Sequence, residues 1–372
     1  MNHRVLDTLA ALVRINSINP AYDHGVPEAA VADWIERFFA PYGLETVRRE
    51  VLPGRPNLIV KIPGRSSRRL ILEAHMDTAS INGMTIPPFD PVIREGLLYG
   101  RGSCDTKGGL AGMIEAVART VESGVAPPCE VWLAAVIDEE YAFQGVLGLC
   151  QGLTAQGAIV AEPTELRNVV ATKGVLRWKI HTRGRAAHSS KPHLGHNAIE
   201  DMMRVIERVN RDSASLAGTV HPLLGPGTTN VGVIRGGVQV NFVPDHCEIE
   251  IDRRLLPGES AEGLLNHYQA LVEDMGEVER PPMLADEALE TAAESPVAAT
   301  ASAALAAMGL PAEPCGVPYG SDGSKLHRIG VPTIVFGPGS IDQAHAAVEW
   351  VECSQVIQAA EFYHRMIMSF EG

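Results

Sequence analysis

Short apolar runs alternate with longer segments of helical apolar spacing in the first half of the chain. Apolar residues recur every three to four positions over 3–14 and 27–40, which predicts two amphipathic helices. The runs at 131–137 and 158–161 are short and almost wholly apolar, as is typical of strands with both faces buried. Further strands are predicted at 57–62, 69–74 and 332–336, and further helices at 107–123, 296–308 and 353–369. This alternation predicts an α/β fold in which helices cover a sheet.

The middle of the chain has a different pattern. Apolar and polar residues alternate over 175–182, which predicts a strand with one exposed face. Further elements predicted in this region are a helix at 195–210, strands at 229–233, 237–243 and 247–253, and a helix at 258–275. Alternating strands combined with helices indicate a small sheet with one covered face. We therefore predict an inserted domain at 175–283, between the segments 1–174 and 284–372 of a discontinuous α/β domain.

Composition and charge narrow the class of protein. The chain has 45 Asp and Glu against 31 Lys and Arg, and its formal net charge of −14 disfavours general binding to nucleic acid. The longest apolar run, at 131–137, is far shorter than the ~20 residues of a membrane helix, so no membrane partner is expected. Asp7 interrupts the apolar residues near the N-terminus, and we expect no secretory signal. Scattered cysteines without a Cys-x-x-Cys pair favour a cytoplasmic protein with reduced thiols.

Acidic and histidine side chains follow several predicted strands or begin a predicted helix. These positions are His75, Asp105, Glu139, Glu140, Glu162 and His345. Functional sites of α/β sheets gather at the carboxyl ends of the strands, so we expect these side chains to converge. Asp77 lies two residues after His75, on the same face of an extended segment, and is either a partner of the imidazole or a neighbouring ligand. The three consecutive acids at 138–140 repel one another unless a cation is present.

This set of side chains points to bound metal. With one of the neighbours Glu139 and Glu140 counted as a ligand, the set has two imidazoles and three carboxylates, which suit zinc, manganese or cobalt better than copper or an iron–sulfur centre. Five ligands are too many for one tetrahedral structural zinc, but they fit two metal ions that share a bridging carboxylate, ~3.5–4 Å apart. Other hydrolase and nucleotide-binding motifs are absent from the sequence: there is no HEXXH, no G-x-S-x-G, and no G-x-x-x-x-G-K-[ST] in the glycine-rich stretch at 100–112.

Five motifs together resemble a known family. They are His75-Met-Asp77-Thr, Gly102-Ser-Cys-Asp105-Thr-Lys-Gly-Gly, Asp138-Glu139-Glu140, Ala161-Glu162-Pro-Thr and Gln343-Ala-His345, in this order. They closely resemble the dizinc metallohydrolases and metallopeptidases that include acetylornithine deacetylase, succinyl-diaminopimelate desuccinylase, aminoacylase and glutamate carboxypeptidase. The resemblance covers essentially the whole chain. It implies a zinc-aminopeptidase-like catalytic domain, with a mostly parallel sheet and helices on both faces, and an inserted α+β lid and dimerisation domain.

The resemblance also implies which residues hold the two metal ions. His75 and Glu162 would hold one zinc ion, and Glu140 and His345 would hold the other. Asp105 would bridge the two ions, and in this family the peptide bond after the bridging residue is cis. Cobalt or manganese is expected to be able to replace zinc.

Catalytic and substrate-binding roles follow from the same resemblance. Asp77 would orient His75, and Glu139 would be the general base that takes a proton from the attacking water. His188 would stabilise the oxyanion, in dimeric relatives at the active site of the partner subunit. Residues expected to contact the substrate are Asn241, Arg254, Ser321, Asp322 and Gly339. For His188 and Arg254, solvated positions in a loop and a strand remain the alternatives.

The segments around 318–322 and 337–345 look most like acetylornithine deacetylase and its deacylase relatives. We therefore expect a homodimeric enzyme of amino-acid metabolism, as in arginine biosynthesis, that cleaves the amide bond of a small N-acyl amino acid. Ser321 and Asp322 stand where some deacetylases have Thr and Glu, which leaves the preferred side chain open. A desuccinylase, for which Lys325 and Arg328 could supply cations, and a carboxypeptidase or dipeptidase are alternatives. A non-catalytic binding homologue is disfavoured because the whole acidic set is present.

Overall fold

The computed structural model describes residues 4–372, which form two compact units. The first unit comprises the described residues up to Val170, together with Thr291–Cys315 and Ser321–Gly372. The second comprises Ala171–Glu290 and Gly316–Gly320. The first unit is therefore discontinuous in sequence, and a long middle segment of the chain forms most of the second.

The elements follow one another in a mixed order of helices and strands. In chain order, the α-helices of the described residues are α1 (Arg4–Val13), α2 (Ala29–Phe39), α3 (Lys107–Glu122), α4 (Gln144–Cys150), α5 (Ala198–Ser215), α6 (Ala261–Val272), α7 (Pro296–Ala307), α8 (Gly323–Arg328) and α9 (Cys353–Ser369). The strands are β1 (Glu45–Leu52), β2 (Arg55–Ile62), β3 (Ser66–His75), β4 (Val92–Arg94), β5 (Leu97–Tyr99), β6 (Cys129–Val136), β7 (Gly157–Val160), β8 (Val169–Thr172), β9 (Gly174–Arg183), β10 (Val220–His221), β11 (Gly225–Pro226), β12 (Thr228–Gly236), β13 (His246–Leu255), β14 (Gly276–Val278), β15 (Leu284–Asp286), β16 (Leu289–Glu290), β17 (Cys315–Val317), β18 (Thr333–Val335) and β19 (Trp350–Glu352).

The largest sheet has the strand order β1-β2-β6-β3-β7-β18-β8-β16, and β17 pairs with β8. Its middle strands β6, β3, β7 and β18 are parallel, whereas the outer pairs are antiparallel. Residues 70–75 of β3 are all buried, so other elements cover both faces of the sheet. The predicted α/β fold with a mostly parallel sheet is confirmed. Parallel strands bring the carboxyl ends of β3, β6, β7 and β18 to one edge.

Glycines let helix α3 pack closely against its neighbours. A Cβ atom added at Gly109 would lie 2.7 Å from the Cβ of Ala161, and one added at Gly112 would lie 3.1 Å from the ring of Tyr363 on α9. Side chains at these two positions would push the helix away from the sheet edge and from α9. The small residues therefore allow the start of α3 to lie directly beside the end of β7, just before Glu162.

The second unit contains a five-stranded antiparallel sheet with the order β12-β13-β9-β14, in which β15 also pairs with β9. Strand β13 alternates between buried and half-buried residues. Its buried residues pack with side chains of α5 and α6, and the rings of Trp178 and Tyr268 lie 4.8 Å apart in this core. Polar side chains occupy the other face. The predicted small sheet with one covered face is confirmed.

The predicted strand at 237–243 is wrong. Strand β12 ends at Gly236, and the chain then forms a loop in which Val238 and Val240 are 88% and 101% exposed. Apolar and polar residues alternate in this loop as they do in a strand, but the residues connect β12 to β13 and pair with no strand of the sheet. A single antiparallel bridge joins Phe242 to His188.

The first residue of the helix predicted over 3–14, His3, lies outside the described residues. From Arg4 onward the prediction is confirmed, since α1 covers Arg4–Val13.

No α-helix within residues 4–372 is both long and apolar enough to cross a membrane.

All six cysteines carry free thiols, as the sequence predicts. Burial raises the pKa of the Cys104 thiol well above its ordinary value, which keeps this group protonated and unreactive.

Candidate active site

The side chains predicted to bind metal converge at the carboxyl edge of the parallel strands. His75 is the last residue of β3, and Glu162 lies two residues beyond the end of β7. Glu140 stands in the turn after β6, and Asp105 lies two residues before α3. His345 follows a short 3₁₀ helix, Ile341–Gln343, after β18. The structure therefore brings together residues that are up to 270 positions apart in sequence.

The first of two ligand groups consists of His75, Asp105 and Glu162, all buried. One ligand atom from each lies within 4.8 Å of the others. The Nε2 atom of His75 lies 3.2 Å from Oδ1 of Asp105, while its Nδ1 lies 2.9 Å from the carbonyl oxygen of Asp77. Because Nδ1–H donates to that carbonyl, Nε2 is the ring atom that is directed at the carboxylate oxygen and available to a metal ion. A cation between them would satisfy both atoms.

The second group consists of Asp105, Glu140 and His345. The Nε2 atom of His345 lies 3.3 Å from Oδ2 of Asp105 and 3.0 Å from Oε2 of Glu140. Asp105 thus belongs to both groups, with Oδ1 directed at one imidazole and Oδ2 at the other. This is the arrangement of a carboxylate that bridges two metal ions. The peptide bond between Asp105 and Thr106 is cis, as the resemblance implies.

The electrostatics of these groups call for positive charge. Burial raises the pKa of Glu162 well above its usual range, and the charges of Asp105 and Glu139 raise it further. Burial and the charge of Asp105 likewise raise the pKa of Glu140. Hydrogen bonds to Asp105 and Glu140 raise the pKa of His345 to about 10. Nearby positive charge would stabilise the ionised carboxylates, and the donor set of imidazoles and carboxylates fits divalent cations.

Glu139 precedes the ligand Glu140 in the turn after β6 and is half-buried. Burial raises its pKa well above the usual range, although the charge of His75 lowers it, and the charges of Asp322 and Glu140 raise it again. Its backbone N–H donates to Oδ1 of Asp77, over 3.1 Å. A carboxylate with a raised pKa is a stronger base than an ordinary glutamate and suits the role of accepting and returning a proton.

Asp77 acts on the turn after β6 more directly than on His75. Its carboxylate accepts hydrogen bonds from the backbone N–H groups of Glu139 and Glu140, both over 3.1 Å, and from the side-chain amide of Asn19, over 2.8 Å. Its Oδ1 atom lies 3.7 Å from Nδ1 of His75, whereas its carbonyl oxygen is within hydrogen-bond distance. Asp77 therefore fixes the two acids of the turn as well as the imidazole.

Glu349 supports Asp105 and was not predicted from the sequence. Its buried carboxylate accepts hydrogen bonds from the backbone N–H groups of Gly102, Cys104 and Asp105, over 2.9 to 3.1 Å. The guanidinium of Arg101 pairs with it over 2.7 Å. This carboxylate holds the loop that carries Asp105. The only sequence signal is an acid between Val348 and Trp350, which does not distinguish it from a surface residue.

Two predicted lid residues lie in adjoining loops of the second unit. The backbone N–H of Ser189 donates to the carbonyl of Asn241 over 3.0 Å, and His188 forms a bridge with Phe242. His188 and Asn241 are both exposed. Arg254 is half-buried and pairs with Asp252 over 3.1 Å.

The adjacent arginine is the structural one. Arg253 is only 1% exposed and pairs with Glu259. It therefore belongs to the core of the second unit, which leaves Arg254 as the arginine that a ligand could reach.

Three further predicted substrate contacts are in the first unit. Ser321 and Asp322 are buried, and burial raises the pKa of Asp322 to about 7. Gly339 has a φ of +88°, and an added Cβ would lie 2.4 Å from the sulfur of Cys104, so only glycine fits. Its backbone N–H donates to the side chain of Gln355 over 2.8 Å and is therefore already used.

Comparisons with known proteins extend these observations. Residues 71–369 match the family model of Peptidase family M20/M25/M40. The chain is 30% identical over 370 residues to acetylornithine deacetylase of Vibrio vulnificus, which covers 93% of each chain. It is 28% identical over 382 residues to N-formyl-4-amino-5-aminomethyl-2-methylpyrimidine deformylase of Bacillus subtilis, covering 91% of this chain and 88% of the relative.

Solved structures show the same fold. Aminopeptidase PepT of Bacillus cereus has a TM-score of 0.83 at 22% identity, covering 99% of this chain and 98% of its own. A dinuclear metal-binding peptidase of Bacillus subtilis has a TM-score of 0.74 at 15% identity, covering 98% and 97%. Each similarity spans essentially the whole length of both chains, so both units of the structure are shared.

Proposed function

The chain belongs to Peptidase family M20/M25/M40, and from that premise we propose that it is a deacylase of small N-acyl amino acids. As a member of this family it is a metal-dependent hydrolase. The observation that carries the proposal is the division of the Asp105 carboxylate between two ligand groups. The similarity to acetylornithine deacetylase over almost the full length favours a deacylase over a peptidase.

Two divalent metal ions are part of the proposal, with zinc the first choice and cobalt or manganese as substitutes. His75 and Glu162 would hold one ion and Glu140 and His345 the other, with Asp105 between them. The imidazole and carboxylate donors suit these metals. When bound, the two ions polarise the amide carbonyl and lower the pKa of the attacking water.

Glu139 would move the proton in this reaction. Its carboxylate accepts the proton of the water as the water attacks the amide carbonyl, and it then gives the proton to the leaving nitrogen. The products are a carboxylate and a free amino acid. Asp77 positions this step because it holds the backbone N–H groups of Glu139 and Glu140.

We assign the catalytic role to the segments 1–174 and 284–372, and the roles of lid and dimerisation domain to 175–283. His188 would donate to the developing oxyanion, in a homodimer at the active site of the partner subunit. Arg254, with Asn241, would bind the substrate carboxylate, since a guanidinium suits a two-point carboxylate contact. A cytoplasmic location and a part in arginine biosynthesis stay predictions.

A substrate panel tests the proposal. kcat/KM is measured for N-acetylornithine, other N-acetyl and N-succinyl amino acids, dipeptides, and an N-formyl aminomethylpyrimidine, the substrate type in the name of the second relative. We expect the highest kcat/KM for an N-acyl amino acid. Arg254→Ala should lower kcat/KM only for substrates that bear an α-carboxylate. A preference for the pyrimidine, unaffected by Arg254→Ala, would instead support a deformylase.

A further inference from the structure

A second kind of metal-binding group lies on the sheet of the second unit. It is formed by His181 on β9 and by His246 and Glu248 on β13. One ligand atom from each of the three lies within 4.8 Å of the others. We propose that these three side chains bind a divalent transition-metal ion, separate from the ions of the active site. We refer to this group as the sheet-face cluster.

The register of the sheet places all three side chains on one face. In the antiparallel pairing of β9 and β13, Glu248 lies directly opposite His181. His246 precedes Glu248 by two residues and therefore points to the same side, diagonal to His181. The residue between them, Cys247, is buried on the opposite side with the helices. The cluster thus occupies the polar face that the helices leave uncovered.

The separation of the nitrogen atoms matches metal coordination. Nδ1 of His181 lies 3.3 Å from Nε2 of His246, and 3.7 Å from Oε2 of Glu248. Two ligands at about 2.0–2.1 Å from a tetrahedral zinc ion are themselves about 3.3–3.4 Å apart. The separation of the two imidazole nitrogens therefore already equals that of two ligands on such an ion, and Oε2 of Glu248 lies a few tenths of an ångström farther away.

A fourth residue prepares His181 for metal binding. Glu279 accepts a hydrogen bond from Nε2–H of His181 over 2.7 Å. With its proton held there, the imidazole presents the lone pair of Nδ1 to His246 and Glu248. Metal-binding histidines commonly have a carboxylate partner of this kind on their far nitrogen. Without metal, Nε2–H of His246 can donate to that lone pair; an incoming ion would take this position, and the proton of His246 would move to its Nδ1.

A cavity and two cationic side chains lie beside the sheet-face cluster. A cavity of about 170 Å³, lined in part by Asp245, lies beside the two ligands on β13. Arg235 and Lys179 also contact Glu248, over 3.2 and 3.6 Å, and weaken its pull on any cation. Binding must therefore rest on the imidazoles, which favours zinc, cobalt, nickel or copper over magnesium and calcium.

Metal counting on the full-length holoprotein tests this proposal. The protein is equilibrated with excess Zn²⁺ and freed of unbound metal, and its zinc content is measured by elemental mass spectrometry. A parallel titration follows the binding of Co²⁺ by visible absorption. The double variant H181A/H246A should bind one ion fewer than the unsubstituted chain. Its kcat/KM should be unchanged within twofold. His267→Ala is the matched control, because this half-exposed histidine of the same unit has a carboxylate partner, Asp212 at 2.7 Å, but belongs to neither kind of ligand group.

The outcomes separate this proposal from the proposed function. Equal metal content in the double variant and the unsubstituted chain would overturn the sheet-face cluster as a metal site, whatever the activity. Arg235→Ala should tighten Co²⁺ binding at this cluster, and a weaker or unchanged affinity would also contradict the proposal. If Glu248→Gln, which keeps the shape of the side chain, binds metal as tightly as the unsubstituted chain, Glu248 is not a ligand. None of these readouts depends on turnover.

Discussion

The active-site ligands and the sheet-face cluster use the same kinds of side chain in opposite surroundings. Around Asp105 the carboxylates are buried, and burial raises the pKa of Glu162 and Glu140. At the sheet face, Arg235 and Lys179 already contact the carboxylate of Glu248. The active-site ligands, referred to below as the buried group, therefore need cations if their carboxylates are to be stable in ionised form. The sheet-face cluster is stable without a cation. Metal should accordingly be essential at the first and optional at the second.

Removal of metal should have the largest effect. A strong chelator should reduce hydrolysis to the background rate, because both the activation of water and the polarisation of the amide are lost. kcat/KM is measured before chelation, after it, and after zinc, cobalt or manganese is returned. The H181A/H246A variant should lose and regain activity in the same way. Full activity in metal-free protein would show that the buried group has no catalytic metal.

Glu139→Gln should have the next largest effect. We expect kcat to fall about 10²–10⁴-fold, the usual contribution of a general base, while two ions remain bound at the buried group. Glu140→Gln is the informative neighbour, because it should lose an ion as well as activity. Turnover and metal content are measured on the same samples. A Glu139→Gln protein with normal kcat would exclude this residue as the base.

Glu349→Gln should weaken metal binding at the active site, although Glu349 is not itself a metal ligand. Gln offers one acceptor oxygen in place of two, and its amide N–H₂ would face the backbone N–H groups of Gly102 or Cys104. Losses of about 10–100-fold in metal affinity are typical for residues that support ligands. Competition with a coloured chelator measures the affinity, and Glu352→Gln on β19 is the control. Equal affinities in the two variants would contradict the role given to Glu349.

Glu279→Gln should have the smallest effect. It should weaken Co²⁺ binding at the sheet-face cluster severalfold, because the amide is a poorer acceptor for Nε2–H of His181. Neither kcat nor the metal content of the buried group should change. Co²⁺ titration and substrate turnover on one preparation test both halves of this statement. A change in turnover would mean that the two regions are not independent.

The convergence of His75, Asp105, Glu140, Glu162 and His345 was predictable because it follows from strand order. Apolar runs identify the strands, and parallel strands must end at one edge, so the residues after them are neighbours. Contacts made by single side chains across long sequence separations were not predictable. Glu349 shows this, since its burial against the loop of Asp105 depends on packing that no local pattern encodes.

Alternation of apolar and polar residues predicts a strand wrongly at one place, and at another it does not determine which residues become neighbours. At 237–243 it resembles a strand, but a strand also needs a partner, and Val240 is left fully exposed. At 175–182 it correctly places His181 on an exposed face. The register between β9 and β13, which sets His181 beside His246, requires the folded sheet.

Anomalous diffraction from crystals grown with zinc tests the central claim most directly. Within the active site we expect two peaks, roughly 3.5–4 Å apart on either side of the Asp105 carboxylate, separate from any peak at the sheet-face cluster. One peak should also contact His75 and Glu162, and the other Glu140 and His345. A single peak, or two peaks without Asp105 between them, would contradict the shared carboxylate on which the proposed reaction rests.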